Sequence, residues 1–218
     1  MSARTLLWIA VSLLAAACTR VQTEYWPDGT LKSTVTLKGK MYHGPATFYY
    51  EDGTPQMECN YADGRLEGRF IRYYSSGMKK EEVYYLENKA DSIYKFWDFS
   101  GNLLVEARYT DSLLNGPFRE FYPNGALKTE GRYTKGLYDG KWFWYDDDGM
   151  IAGTGDYKLG EGIQKSFGPG GIVSQVIRFR NNVKNGPEEY FDLKGALVEI
   201  RYYSNGQLTE VKNMKKNP

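Results

Sequence analysis

His43 is the only histidine in the 218-residue chain, and it stands directly before Gly44. A histidine base or nucleophile pair needs a second reactive group held beside it. No Ser-His-Asp set, metal-ligand cluster or phosphate-cradling glycine loop is readable around it. It therefore reads as a solvated side chain in a connecting segment. Asp146, Asp147 and Asp148 are a run of oxygen ligands of the kind calcium takes. They occupy a slot filled elsewhere by Pro-Asp-Gly and Pro-Asn-Gly, so turn formation accounts for them, and neither metal nor cofactor is expected. Cys59 falls six residues after Gly53, where equivalent stretches hold Val35, Val83, Ala107, Gly131, Gly155 and Ile177. A small apolar slot makes its thiol a buried, inert one. No catalytic residue is assigned, and the chain is not expected to be an enzyme.

What positions these residues is a repeat. Turn glycines stand at Gly29, Gly53, Gly77, Gly101, Gly125, Gly149, Gly171 and Gly195, spaced by 24 residues except for 22 between Gly149 and Gly171. A second series, Gly44, Gly68, Gly116, Gly140, Gly162 and Gly186, precedes the turn glycines by nine, with Ser92 in the one gap. Four residues before each turn glycine is an aromatic: Tyr25, Tyr49, Tyr73, Trp97, Phe121, Tyr145, Phe167 and Phe191. Eight residues after it come Leu37, Tyr61, Tyr85, Tyr109, Tyr133, Tyr157, Phe179 and Tyr203.

Each unit reads as a β-hairpin. Pro, Asp or Asn before glycine suits a type I turn followed by a left-handed residue. After the turn, Leu127, Thr129, Gly131 and Tyr133 alternate with Lys128, Glu130 and Arg132, the period of a half-buried strand. Trp142 and Tyr145 are three apart, so a bulge must reconcile their phase. A lone hairpin is marginal in water, but hairpins stacked side by side support one another. The fold expected is all-β: an elongated single-sheet solenoid of about eight antiparallel hairpins over residues 25–210. At ~4.8 Å per strand the array would be on the order of 80 Å long. Gly-Pro at 44–45, 116–117 and 186–187 is read as starting linkers and stopping the ladder. Both aromatic rows are expected in the core.

Four further aromatics, Trp26, Tyr50, Tyr74 and Tyr122, lie beside the turns. Their slot is given elsewhere to Asp98, Asp146, Gly168 and Asp192. Tolerance of Asp and Gly implies exposure, which makes these four the candidate binding rim.

The N-terminus bears on the compartment. Arg4 precedes an unbroken apolar run, residues 5–17, too short for a ~20-residue membrane span and suited to a signal segment. Ala15, Ala16 and Ala17 directly before Cys18 resemble a bacterial lipobox. The resemblance implies cleavage before Cys18 and its lipidation; the other reading is an ordinary signal cut near Ala17 that leaves Cys18 free. Thr19 after the cysteine implies sorting to the outer membrane. The expected division is 1–17 signal (helical), 18–24 lipid-anchored tether, 25–210 repeats and 211–218 basic tail. Without Arg4, the remaining chain carries 27 Lys and Arg against 27 Asp and Glu. Zero net charge argues against nucleic-acid binding. Arg178, Arg180, Lys184, Lys212, Lys215 and Lys216 are too sparse for a polybasic lipid-binding segment and read as a solvated face.

The repeat resembles the MORN repeat (membrane occupation and recognition nexus) in its bacterial variant, antitoxin-like form. The carrying stretches are GPFREFYPNGALKTEGRY (116–133) and GKWFWYDDDGMIAGTGDY (140–157). The resemblance implies a row of hairpins acting as an interaction module: a scaffold, a membrane-associated linker or, in some bacterial members, an antitoxin. GIQKSFGPGG (162–171) departs from the pattern and is expected to form a kink or softer joint across 158–171. The function expected is that of a non-catalytic envelope lipoprotein that binds another envelope protein. The alternatives are a glycan- or peptidoglycan-binding module and an antitoxin-like neutraliser of a partner.

Overall fold

The computed structural model describes residues 18–214, so the signal segment, Lys215 and Lys216 lie outside the described residues. Among the described residues, nineteen strands form one antiparallel sheet. In chain order they are β1 (Thr19–Tyr25), β2 (Leu31–Lys38), β3 (Met41–Tyr49), β4 (Pro55–Ala62), β5 (Arg65–Leu66), β6 (Gly68–Tyr73), β7 (Lys79–Leu86), β8 (Lys89–Trp97), β9 (Leu103–Thr110) and β10 (Leu113–Phe121). There follow β11 (Leu127–Thr134), β12 (Leu137–Tyr138), β13 (Gly140–Tyr145), β14 (Ile151–Lys158), β15 (Glu161–Phe167), β16 (Val173–Arg180), β17 (Val183–Phe191), β18 (Leu197–Ser204) and β19 (Gln207–Asn213). A single 3-10 turn at Pro169–Gly171 interrupts them. Each strand pairs with its neighbours in sequence. The pieces β5 and β6 together face β4, and β12 and β13 together face β11. Nineteen strands less these two joins make 17 passes across the sheet.

Two kinds of turn alternate along the array. At one edge each turn glycine lies at φ between 75° and 89° and donates its N–H to the carbonyl three residues earlier, as Gly125 does to Tyr122 at 2.9 Å. The ladder shifts register one residue before these turns, for example between Trp144 and Tyr145. That is the bulge the Trp142–Tyr145 spacing requires, and it changes the face the last residue points to. Tyr73 therefore donates to Glu58 at 3.0 Å and Tyr145 to Glu130 at 2.9 Å. These partners lie on the face opposite Cys59 and Gly131. The wholly aromatic row, expected in the core, sits half-buried on the charged outer face, and Tyr25 is exposed.

The other edge holds two-residue turns. At 63–64, 87–88, 111–112, 135–136, 159–160, 181–182 and 205–206 both residues have positive φ, the type I′ geometry that matches strand twist. The segments read as linkers are thus hairpin turns followed at once by the next strand. Pro45, Pro117 and Pro187 lie inside β3, β10 and β17, and the ladder passes through them. Beside each, Gly44, Gly116 and Gly186 take φ of 107°, 130° and 99°, and Ser92 takes the same role at 78°. These are bulge positions, marked by register breaks such as that between Leu114 and Phe118.

The 22-residue unit omits this bulge. β14 and β15 pair over six consecutive residue pairs without a shift, and Gly162 has no positive φ. A Cβ on Gly162 would come within 2.2 Å of the Asp156 carbonyl. The softer joint expected at 158–171 is instead a continuous ladder. Asn182 clips over it, accepting from Tyr138 N–H at 2.9 Å and donating to the Gly136 carbonyl at 2.8 Å.

The segment read as a tether is mostly β1, paired residue by residue with β2 from Thr19 to Tyr25. Residues 211–213, assigned to a basic tail, belong to β19. Pairing with an existing strand supplies hydrogen-bond partners that composition alone does not reveal.

Candidate interaction surface

The inner face is built from complementary pairs. Val35 faces Ala46, Cys59 is followed across the sheet by Phe70, and Ala107 faces Phe118. Gly131 lies beneath Trp142: a Cβ there would meet the indole at 2.1 Å. The largest ring sits over the smallest residue, and Trp142 is 1% exposed. Its Nε1 donates to the Arg132 carbonyl at 3.2 Å, and its ring contacts Phe118, Tyr133, Tyr138 and Trp144. The row after the turns joins this surface. Phe70–Tyr85, Tyr94–Tyr109 and Tyr157–Phe179 are edge-on ring pairs with centroids 5.4, 5.8 and 5.8 Å apart, the arrangement the ring quadrupole favours.

Burial pushes the hydroxyls of Tyr61 and Tyr94 up to about 12 and raises Tyr133 and Tyr157 further. Burial also raises the Cys59 thiol, which lowers its thiolate fraction and its reactivity. Among the described residues this aromatic face is one side of a single sheet, with no second layer over it.

The face changes character toward the C-terminus. Gln164 and Glu188 take the slots held earlier by Phe118 and Trp142. Glu188 is fully buried; its Oε1 accepts from Gln175 at 2.7 Å and Lys184 at 2.5 Å, while Oε2 has no partner among the described residues. On the outer face, cross-strand ion pairs run along the array: Arg69–Glu82 at 2.7 Å, Lys95–Glu106 at 3.4 Å and Arg178–Glu189 at 3.2 Å. Exposed pairs of this kind contribute roughly 0–1 kcal/mol each. The basic residues read as a solvated face have acidic neighbours: Arg180 meets Glu161, Lys184 meets Glu188 and Lys212 meets Glu210.

The four rim aromatics line one edge, half-buried. The hydroxyls of Tyr50, Tyr74 and Tyr122 donate to the carbonyls of Tyr73, Trp97 and Tyr145 at 2.8, 2.8 and 2.9 Å. Each staples its repeat to the next, which leaves the ring faces for other contacts. Lys32, Lys80 and Lys128 lie over Trp26, Tyr74 and Tyr122 at 5.0, 5.6 and 5.8 Å. Aspartate in the same slot works differently. Asp98 accepts from Asn102 N–H, Asp146 from Met150 N–H and Asp192 from Ala196 N–H, at 2.9, 2.8 and 2.9 Å. Asp tolerance therefore reflects a second way of closing the turn as well as exposure. The slot beside Tyr145 is where the acidic run begins, and Asp146 is used as turn acceptor.

Sequence reading missed the residue just before each bulge. Glu67, Asn115, Asp139 and Asn185 accept the N–H of Glu87, Lys135, Leu159 and Asn205, 20 residues on, at 3.0 to 3.2 Å. His43 occupies the same slot, and its Nδ1 lies 3.1 Å from Asp63 Oδ1 and 3.3 Å from the Asp63 N–H. It lies at the head of an inter-repeat clamp within β3, rather than free in a linker. The readable signal was that all five are hydrogen-bond acceptors directly preceding a glycine of the second series.

Residues 42–63, 66–87, 114–135 and 138–159 match the MORN repeat variant. The chain carries MORN repeats. Each matched stretch is one hairpin: β3–β4, β5/β6–β7, β10–β11 and β12/β13–β14. The intervening and flanking pairs β1–β2, β8–β9, β15–β16 and β17–β18 are antiparallel hairpins too, each with a register shift one residue before its turn. MORN repeats are in general protein- and membrane-binding modules. No curated protein gives a significant match to the chain.

Proposed function

We propose that this MORN-repeat chain is a non-catalytic, lipid-anchored envelope protein that works as a protein-binding scaffold. One observation carries the reading: the aromatic inner face of a single sheet keeps Tyr42 exposed and several tyrosine rings half-buried, while His43, Cys59 and Asp146 are each committed to a clamp, the core or a turn. A face rich in tyrosine and tryptophan suits contact with another protein, because such rings bury large area at low entropic cost. Tyr42, exposed on the ring of Tyr61 at 5.1 Å, and the half-buried Tyr85 and Tyr109 offer the accessible rings.

Cys18 is exposed and directly precedes β1. A lipid on it would hold the first edge strand at the bilayer surface with almost no spacer. Replacing Cys18→Ser is expected to move the protein from the membrane to the soluble fraction. That variant, used as bait in envelope extract, should capture one protein stoichiometrically, and Tyr42→Ala with Tyr85→Ala should weaken capture. Retention on insoluble peptidoglycan instead would favour a glycan-binding module, and unchanged capture by the aromatic variants would sink the assignment of the face.

A further inference from the structure

The sheet ends in two open edges, and they differ chemically. On β1, Arg20, Gln22 and Glu24 oppose Leu37, Val35 and Ser33, so they lie on the inner face. Later repeats hold Ala46 and Phe48, or Trp142 and Trp144, at the slots of Gln22 and Glu24. Charged groups turned inward on an edge strand discourage further pairing. On β19 the inner-face residues are Val211, opposite Arg201, and Leu208, opposite Tyr203. Both are exposed, at 46% and 53%. Glu210 and Lys212 flank Val211 on the outer face.

We propose that a second copy of this chain adds to the free edge of β19, forming an antiparallel strand pair about a two-fold axis at Val211. Charge complementarity carries the choice of occupant. Pairing centred on Val211 sets Glu210 opposite Lys212 of the second copy, and Lys212 opposite its Glu210. Val211 meets its own counterpart on the inner face, and Thr209 meets Asn213. Opposite charges directly across an antiparallel pair are stabilising, and like charges are not.

Strand direction excludes the head-to-tail alternative as an antiparallel seam. With 17 alternating passes, β1 and β19 run the same way. A translated copy would bring β1 parallel to β19 and set Arg20, Gln22 and Glu24 beside Leu208 and Val211. The two-fold contact is self-complementary and closes as a dimer, with no growing fibre. It extends the sheet from both copies and leaves the β1 edges, each next to Cys18, at the far ends. A two-fold pair at β1 centred on Gln22 would also match Arg20 with Glu24, but its inner face would bury no apolar side chain.

Residues 18–218 contain every described strand, so the Cys18→Ser form from that start is the test material. Sedimentation velocity across a micromolar concentration series should show a monomer–dimer equilibrium. Lys212→Glu places glutamate opposite Glu210 at both symmetry-related contacts and should weaken dimerisation at least about tenfold, equivalent to 1.4 kcal/mol. Glu210→Lys should do the same, and the double exchange Glu210→Lys with Lys212→Glu should restore dimerisation. Thermal unfolding of each variant, measured alongside, separates lost pairing from lost fold. A parent that stays monomeric throughout would overturn the proposal. So would a double exchange that folds but does not dimerise, or a dimer abolished by Arg20→Glu and indifferent to Lys212→Glu.

Discussion

Replacing Gly131 with alanine tests how the sheet is packed. The added methyl would sit 2.1 Å from Trp142 Cδ2 and 2.3 Å from Cε2, well inside contact distance. Gly131 carries no positive φ, so alanine meets no backbone strain and gains the roughly 0.5–1 kcal/mol by which glycine weakens a strand. Against that gain stands the ring. If the indole shifts within its site, overpacking costs about 1–3 kcal/mol. If it is expelled, the loss approaches that of a buried Trp→Ala change, about 3–5 kcal/mol. The balance is a net destabilisation of up to about 2.5 kcal/mol if the ring shifts and about 2–4.5 kcal/mol if it is expelled, with a fall in Tm of roughly 2–4 °C per kcal/mol for a chain of this size. Ala107 with Phe118 is the natural neighbouring solution to the same slot. Gly131→Ala combined with Trp142→Phe should therefore be more stable than Gly131→Ala alone, with a coupling above about 1 kcal/mol. Far-UV circular dichroism and tryptophan fluorescence, followed through thermal and urea unfolding, read both quantities. An alanine variant more stable than the parent, or strictly additive changes, would refute the reasoning.

Two smaller predictions follow from hydrogen bonding and ionisation. Tyr122→Phe keeps the ring but removes the bond to the Tyr145 carbonyl, and should lower stability by about 0.5–1.5 kcal/mol in a urea titration; no change would mean the inter-repeat staple contributes nothing. The folded chain also retains phenolic protons that an unfolded chain releases near pH 10. Its stability should be intact below pH 10 and fall between pH 10 and about 12, with Tyr61 and Tyr94 alone giving a slope of about 3 kcal/mol per pH unit. Melting curves that are flat across that window would show those hydroxyls to be solvated.

The turn glycines carried most of what was legible. Their period places one hairpin per unit because an αL residue after a type I turn requires glycine, and the requirement recurs wherever the turn does. Strand alternation was equally local, and it placed Cys59 on the inner face correctly. The second turn escaped because its φ-positive pairs are written variously as Glu87-Asn88, Asp111-Ser112, Lys135-Gly136 and Leu159-Gly160. Type I′ geometry is imposed there by the paired strands on either side, so the local sequence need not announce it. The aromatic row was misplaced because a bulge one residue before each turn reverses the face, and a period-two count does not register the slip.

Sequence by itself determined the period, the compositional class and the hairpin as the unit, since these depend on neighbours a few residues apart. The tertiary structure decided which residues ten or more positions distant complete one another. Trp142 fits over Gly131, Tyr122 reaches the Tyr145 carbonyl, and Asn182 spans the 22-residue unit to Tyr138. It also decided that the two edge strands run in the same direction, because pass number and pairing order are properties of the assembled sheet. Complementary volumes and hydrogen bonds between repeats depend on register, and register exists only once the strands are paired.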